Sequence, residues 1–168
     1  MPTQQYCVPR KPAFQPDEID RKLLDLLQND AARPLYELGD RVGLSPSAVQ
    51  RRLSRYRASG VIDRQVAVLD PGVMPGTVLA CVLVTLERET KKLHAAFRQR
   101  LLAAPEVQQC YGLAGTWDYL LLVAASGIPR CLAVIDELLL DAPNVKRYET
   151  SFVFEPVKRG LSIPLRQR

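Results

Sequence analysis

The stretch SPSAVQRRLSRYRASGVIDR, residues 45–64, carries Arg51, Arg52, Arg55, Arg57 and Arg64 against a single acid, Asp63. A guanidinium presents a planar fork of donors that matches the oxygens of a phosphate, so arginines gathered on one short segment suit a polyanionic partner. Four of the chain's five net positive charges arise there, five arginines less one aspartate. Charge alone also fits a solvated helix face, and the neighbouring elements have to decide between the two. Other chemistries find little material. The four cysteines, Cys7, Cys81, Cys110 and Cys131, form no CxxC pair, and His94 is the only histidine, so no zinc-ligand spacing is present. No Ser-His-Asp or paired-carboxylate constellation stands out. No metal and no cofactor is expected.

The arginines need an element to carry them. Ser45 reads as a helix N-cap and Pro46 as the first helical residue, where its missing N–H costs nothing. Leu44 and Val49 stand at the positions of a hydrophobic staple, although Ala48 takes the place where Glu or Gln would complete a capping box. Val49, Leu53 and Tyr56 recur at spacings of four and three, one apolar stripe, and Gly60 supplies a stop. Upstream, Ile19, Leu23, Leu26 and Leu27 mark one helix face behind the acidic start Asp17, Glu18 and Asp20. A second helix follows Pro34 with Leu35, Leu38 and Val42 inward, and ends at Gly43. Helix, short turn with glycine, helix is helix-turn-helix spacing. Val61–Leu69 then reads as a strand or wing, and the turn-rich DPGVMPG marks a linker at 70–77. Residues 1–16, with four prolines and no sustained period, read as a mobile arm.

The second half changes period. Residues 78–87 form a nearly continuous apolar strand, and 90–104 a helix with Leu93, Phe97 and Leu101 inward. VQQCYGLAG and DYLLLVAAS make two strands around a Gly115-Thr116-Trp117 turn. Residues 128–141 read as a helix with Cys131, Ile135, Leu138 and Leu139 inward, and KRYETSFVFEPV as a last strand. The expected fold is α+β: an N-terminal winged helix-turn-helix domain over 17–69 and a C-terminal ferredoxin-like βαββαβ domain over 78–160, with a tail at 161–168. A four-stranded sheet with helices on one face leaves its other face needing cover, and a second copy of the same sheet would supply it. Cys81, Cys110 and Cys131 lie in apolar segments and read as buried reduced thiols. No apolar run approaches the ~20 residues of a membrane span, and the chain does not open on a signal peptide. A cytoplasmic protein with no membrane partner is expected.

From residue 17 to about 160 the sequence resembles the Lrp/AsnC (feast/famine) transcription regulators. The text that carries the resemblance is IDRKLLDLLQNDAAR at 19–33, LGDRVGLSPSAVQRRLSRYRASGVI at 38–62, GLAGTWDYLL at 112–121 and ETSFVFEPVK at 149–158. It implies a double-stranded DNA partner, with Ser45–Ser59 as the recognition helix. On that reading Ser47, Ala48, Arg51, Arg52 and Arg55 face DNA. Arg51 and Arg52 can pair with guanine, Arg55 and Arg57 reach phosphates, and Ser45 caps the helix close to a phosphate. The resemblance also implies a homodimer formed through the sheet, commonly assembling to octamers, with an amino-acid effector between dimers. It places that effector against the hairpin turn, at Gly112, Gly115, Thr116, Trp117 and Asp118, with Thr150 on the last strand. There the N–H groups around Gly115 would meet a carboxylate and Asp118 an ammonium.

Two rivals share parts of this pattern. An architectural protein that compacts DNA would use the same helix and assembly without an effector. Siroheme decarboxylases resemble the family in fold, but the resemblance implies prominent histidines, whereas here His94 alone is present and reads as a surface residue.

Overall fold

The computed structural model describes residues 14–70 and 73–165. Most of the arm expected over 1–16, with Cys7, Arg10 and Lys11, lies outside the described residues. The chain divides into two compact units, Met1–Ala67 with Arg159–Arg168, and Val68–Lys158. No described helix is long and apolar enough to cross a membrane.

The first unit contains three helices: α1 (Glu18–Asn29), α2 (Leu35–Val42) and α3 (Pro46–Ala58). Helix α1 starts with a reciprocal cap. Asp17 Oδ1 accepts from the Asp20 N–H at 2.6 Å, and Asp20 Oδ2 accepts from the Asp17 N–H at 3.1 Å. Helix α2 ends at Gly43, whose φ of 71° is the left-handed conformation that glycine adopts without strain. Helix α3 starts as its sequence indicates, with the Ser45 hydroxyl accepting from the Ala48 N–H at 3.3 Å. Leu23, Leu38, Val49 and Tyr56 are fully buried together, which settles the core seam of the three helices.

The strand or wing expected at Val61–Leu69 does not form. Val61 and Ile62 pack on the helical core, but from Asp63 the chain is irregular and exposed. Its residues are β-compatible, yet a strand exists only through a neighbour's backbone groups, and the sheet is four-stranded without it. Within the tail, Ile163 is clasped by Gln28 of α1. The Ile163 N–H donates to Gln28 Oε1 at 2.6 Å, and Gln28 Nε2 donates back to the Ile163 carbonyl at 3.1 Å. Leu165 packs on the helical core.

The second unit is β1 (Thr77–Leu86), α4 (Lys91–Leu102), β2 (Val107–Gly112), β3 (Tyr119–Ser126), α5 (Ile128–Ile135) and β4 (Val145–Phe152). Its sheet runs β2-β3-β1-β4, antiparallel throughout, which is the βαββαβ plan. Alternation along the strands buries Ala80, Val82, Val84 and Leu86 with Tyr119, Leu121, Val123 and Ala125, against Phe97, Leu101, Cys131 and Ile135 of the helices. The opposite residues, Leu79, Cys81, Leu83, Leu120 and Leu122, are half-buried and form the sheet's other face.

Several expectations need correction here. His94 is not a surface residue: it is 2% exposed, with Nδ1 2.7 Å from the Tyr119 hydroxyl. The inward face of α4 runs His94, Phe97, Leu101, and Leu93 is only half-buried. Cys110 is exposed on edge strand β2 and Cys81 half-buried, so of these three only Cys131 is a buried thiol. Helix α5 gives way to a π turn at Asp136–Leu140, which keeps Leu138 and Leu139 inward. The last strand stops at Phe152, leaving Phe154 and Val157 exposed.

Candidate functional site

With Val49, Leu53 and Tyr56 buried, a step of 100° per residue puts Ser47, Gln50, Arg51 and Ser54 on the opposite side of α3, and all four are exposed. They repeat at three, four and seven residues. Ala48 and Arg52 lie on the flank towards α1 and are only half-exposed. No acid stands in the first turn of α3, and its N-terminal end carries the Ser45 and Ser47 hydroxyls 3.1 Å apart. Among the described residues no carboxylate pairs with Arg51 or Arg57, and Arg57 donates to Gln65 Oε1 at 3.3 Å.

Arg52 and Arg55, expected on the DNA-facing side, are both paired with acids of α1. Arg52 Nη1 donates to Asp17 Oδ2 at 2.8 Å and Asp20 Oδ1 at 2.5 Å. Arg55 Nη2 donates to both Asp20 oxygens, at 2.6 and 2.7 Å, and its guanidinium lies 5.4 Å from the Phe14 ring centre. The Tyr56 hydroxyl donates to Asp20 Oδ1 at 2.6 Å. Asp20 itself is 1% exposed. Burial pushes its carboxyl up, but the Tyr56 hydroxyl, the Asp17 N–H and the guanidinium groups outweigh burial and hold it below the ordinary range. Burial and the Asp20 hydrogen bond raise the Tyr56 phenol far above its usual value. A buried anion with these donors holds α3 against α1.

The second constellation is the loop between β2 and β3. Leu113 donates its N–H to the Asp118 carbonyl at 2.8 Å, closing the loop, and the Asp118 N–H donates to Val84 O at 2.9 Å. Asp118 Oδ2 accepts from the Leu86 N–H at 2.7 Å, so one oxygen of the expected ammonium acceptor is engaged at the end of β1. Trp117 lies beneath the Arg147 guanidinium, 4.4 Å from ring centre to Cζ. Arg147 sits opposite Thr85, whose hydroxyl is 3.5 Å from the Thr116 carbonyl. Thr150 is not brought to this group: it sits opposite the fully buried Val82 and shares the helix-covered face. Gly112 ends the β2 ladder opposite Tyr119. Neither Gly112 nor Gly115 has a positive φ, and a Cβ on either would meet nothing within 4 Å.

The AsnC-type helix-turn-helix domain matches residues 17–57, and the Lrp/AsnC ligand binding domain matches residues 79–163. The chain belongs to the Lrp/AsnC family. It is a DNA-binding transcription regulator of that type, with a ligand-binding domain behind its helix-turn-helix. The Leucine-responsive regulatory protein of Escherichia coli strain K12 is 31% identical over 159 residues, 95% of this chain and 97% of its own. The crystal structure of an AsnC family transcriptional regulator from Agrobacterium tumefaciens superposes with a TM-score of 0.80 at 30% identity, covering 89% of this chain and 97% of that one. A transcriptional regulator from Neisseria meningitidis, solved as an L-Met complex, gives 0.81 at 30% identity, over 90% and 97% of the two chains.

Within this Lrp/AsnC chain the structure gathers Ser45, Ser47, Arg51 and Arg57 on one helix. It adds Gln50 and Ser54, which sequence reading passed over although their spacing from Ser47 carries the signal. At the turn it gathers Gly115, Thr116, Trp117 and Asp118 and adds Arg147. That residue was legible only through strand alternation in KRYET.

Proposed function

We propose that α3 enters the major groove with Ser47, Gln50, Arg51 and Ser54 towards the base edges, while Ser45 and Arg57 meet phosphates. The observation that carries this is the exposed stripe of α3, polar at helical spacing and centred on an arginine with no carboxylate partner among the described residues. A recognition helix reads sequence through the side chains on that face, and contacts to phosphate fix its register. The protein acts as a homodimer through the half-buried apolar face of its sheet, assembling further to octamers, on the chromosome in the cytoplasm. Two copies related by a two-fold axis present two such helices, so operators are imperfect palindromes with half-sites about one helical turn apart or a multiple of it.

Selection of duplexes from a randomised pool tests both statements. Enriched sequences without two-fold repetition would overturn the dimeric reading. On the enriched duplex, Arg51→Ala loses roughly 1–3 kcal/mol and relaxes preference at one base pair. Arg57→Ala weakens enriched and random duplexes alike and lowers the salt slope by about 1. Equal losses on both duplexes for Arg51→Ala would remove it as a base reader.

The effector is a small amino acid held at the 113–118 turn. The L-Met complex of the Neisseria meningitidis relative supports that class. The turn supplies the chemistry: backbone N–H groups around Gly115, the Trp117 ring and the Arg147 guanidinium. Because a Cβ at Gly115 meets open space within the chain, Gly115→Val leaves the fold intact and fills only the volume above the turn. Calorimetric titration of the twenty amino acids should give binding by the parent and none by this variant. Equal binding by both would place the effector elsewhere.

A further inference from the structure

Four arginines stand on α3, and two are already occupied. The Asp20 carboxylate accepts from the guanidinium groups of Arg52 and Arg55 and from the Tyr56 hydroxyl at 2.5 to 2.7 Å, and from the Asp17 N–H at 3.1 Å. Asp17 Oδ2 takes Arg52 a second time at 2.8 Å. A carboxylate offers these guanidinium groups the same planar acceptor geometry that a DNA phosphate would. It is in place before DNA arrives, and it is 1% exposed, so water screens it little.

We propose that Asp20 sets the sequence specificity of α3 by withholding Arg52 and Arg55 from DNA phosphates. The proposal rests on the reading of α3 as the recognition helix. Each arginine delivered to a phosphate adds affinity that is the same on every sequence. Two further such contacts per helix, from Arg52 and Arg55, would raise binding to random DNA along with binding to the operator, and the ratio between them would fall. With Arg52 and Arg55 turned to Asp20, the helix meets DNA through Ser47, Gln50, Arg51 and Ser54, and its angle is fixed by the same pairs. Arg55, half-exposed and stacked near Phe14 and Tyr56, is the outer of the two and the one closest to release. Asp20 is thus a positioning residue with a second consequence, the holding of two guanidinium groups away from DNA phosphates.

The test is Asp20→Asn in the full-length protein, with binding measured on random-sequence duplex and on a duplex enriched by the parent, across a salt series. The amide keeps the shape but turns N–H donors towards the guanidinium groups, which releases them. Random duplex is then bound roughly tenfold more tightly at 0.1 M salt, with a salt slope steeper by about 1–2, and the specific-to-random ratio falls. A folded Asp20→Asn protein whose random binding weakens or whose slope is unchanged would overturn the proposal, because loss of helix support alone predicts that result. Arg55→Gln provides an independent reading should Asp20→Asn fail to fold. If Asp20 withholds Arg55, this variant keeps the parent's salt slope on random duplex; a slope lower by about 1 would show Arg55 on a phosphate and refute the withholding. Failure of the recognition-helix reading is separate, since it would leave Arg51→Ala without effect on the enriched duplex.

Discussion

Gly39→Val unfolds the helix-turn-helix unit and abolishes DNA binding while the sheet unit remains folded. Gly39 is buried inside α2, and a Cβ placed there would lie 2.4 Å from the Leu44 carbonyl oxygen and 3.5 Å from its carbon. That oxygen belongs to the backbone of the turn between α2 and α3, so no side chain can swing aside to relieve the contact. The turn is also tied to this residue, because the Leu44 N–H donates to the Gly39 carbonyl at 3.0 Å. Overpacking costs about 1–3 kcal/mol in ordinary cores and more where backbone must move, and the gain in helix propensity over glycine is at most about 1 kcal/mol. A helical unit of this size has little stability to spare. Even Gly39→Ala carries the offending atom and should lower the unit's melting temperature sharply. Gly43→Ala is the control: its Cβ meets nothing within 4 Å and only the left-handed φ of 71° is strained, a loss of about 1–2 kcal/mol. Calorimetry on the intact chain, read with far-ultraviolet dichroism, resolves the two units; an unshifted lower transition in Gly39→Ala would refute the steric argument.

The second large effect is the loss of the helical unit in acid. Asp17 and Asp20 both have carboxyls held below their ordinary range: in Asp17 by the Asp20 N–H and then Arg52, in Asp20 by the donors that outweigh its burial. A lowered folded-state pKa contributes stability above the unfolded-state value, about 3.9, and that stability drains away as pH falls through the folded-state value. Protonating Asp20 also leaves two guanidinium groups beside a neutral acid, and breaking a buried pair from one side is costly. The melting temperature of this unit should be flat from pH 7 to about 5 and fall steeply below about 4. Tyr56 gives the opposite limb. Its phenol is raised, so its contribution is complete below about 10 and is lost as pH climbs towards the folded-state value. Asp20→Asn should lower stability at pH 7 and flatten the acid limb, and Tyr56→Phe should remove most of the alkaline one. An acid limb unchanged in Asp20→Asn would locate the pH dependence in another group.

Periodicity carried much of this fold. Leu23, Leu38, Val49, Leu53 and Tyr56 were legible as core because helical spacing and burial are one geometric fact, and the βαββαβ succession of elements followed from apolar runs separated by turns. What periodicity does not contain is the identity of the neighbour across the seam. Arg52 and Arg55 read as projecting residues because Asp20, their partner, lies 32 and 35 positions away in the chain. The face of α4 was read one residue off, since Leu93 and His94 are adjacent and only packing against Tyr119 chooses between them. Residues 61–69 show how β-compatible side chains fail as a signal when no partner strand is supplied. Thr150 and Arg147 exchange roles for a related reason. The two stand three positions apart on β4 and so take opposite faces, and only the pairing of Thr150 with Val82 and Arg147 with Thr85 says which of them shares the helix-covered side.

The clasp between Gln28 and Ile163 bears on how such a protein can be taken apart and recombined. Because Arg159–Arg168 belongs to the helical unit, that unit is assembled from the two ends of the polypeptide, with the sheet unit inserted between them. A single crossover near residue 67 would therefore deliver an incomplete reader head to a chimera, missing the strand of backbone that satisfies Gln28 and the leucine that seats on the helical core. Exchange of DNA-reading specificity between homologous scaffolds calls for grafting both chain ends together. The same arrangement makes a tag fused at the carboxyl terminus a modification of the DNA-reading unit, even though it follows the ligand-binding sheet in sequence.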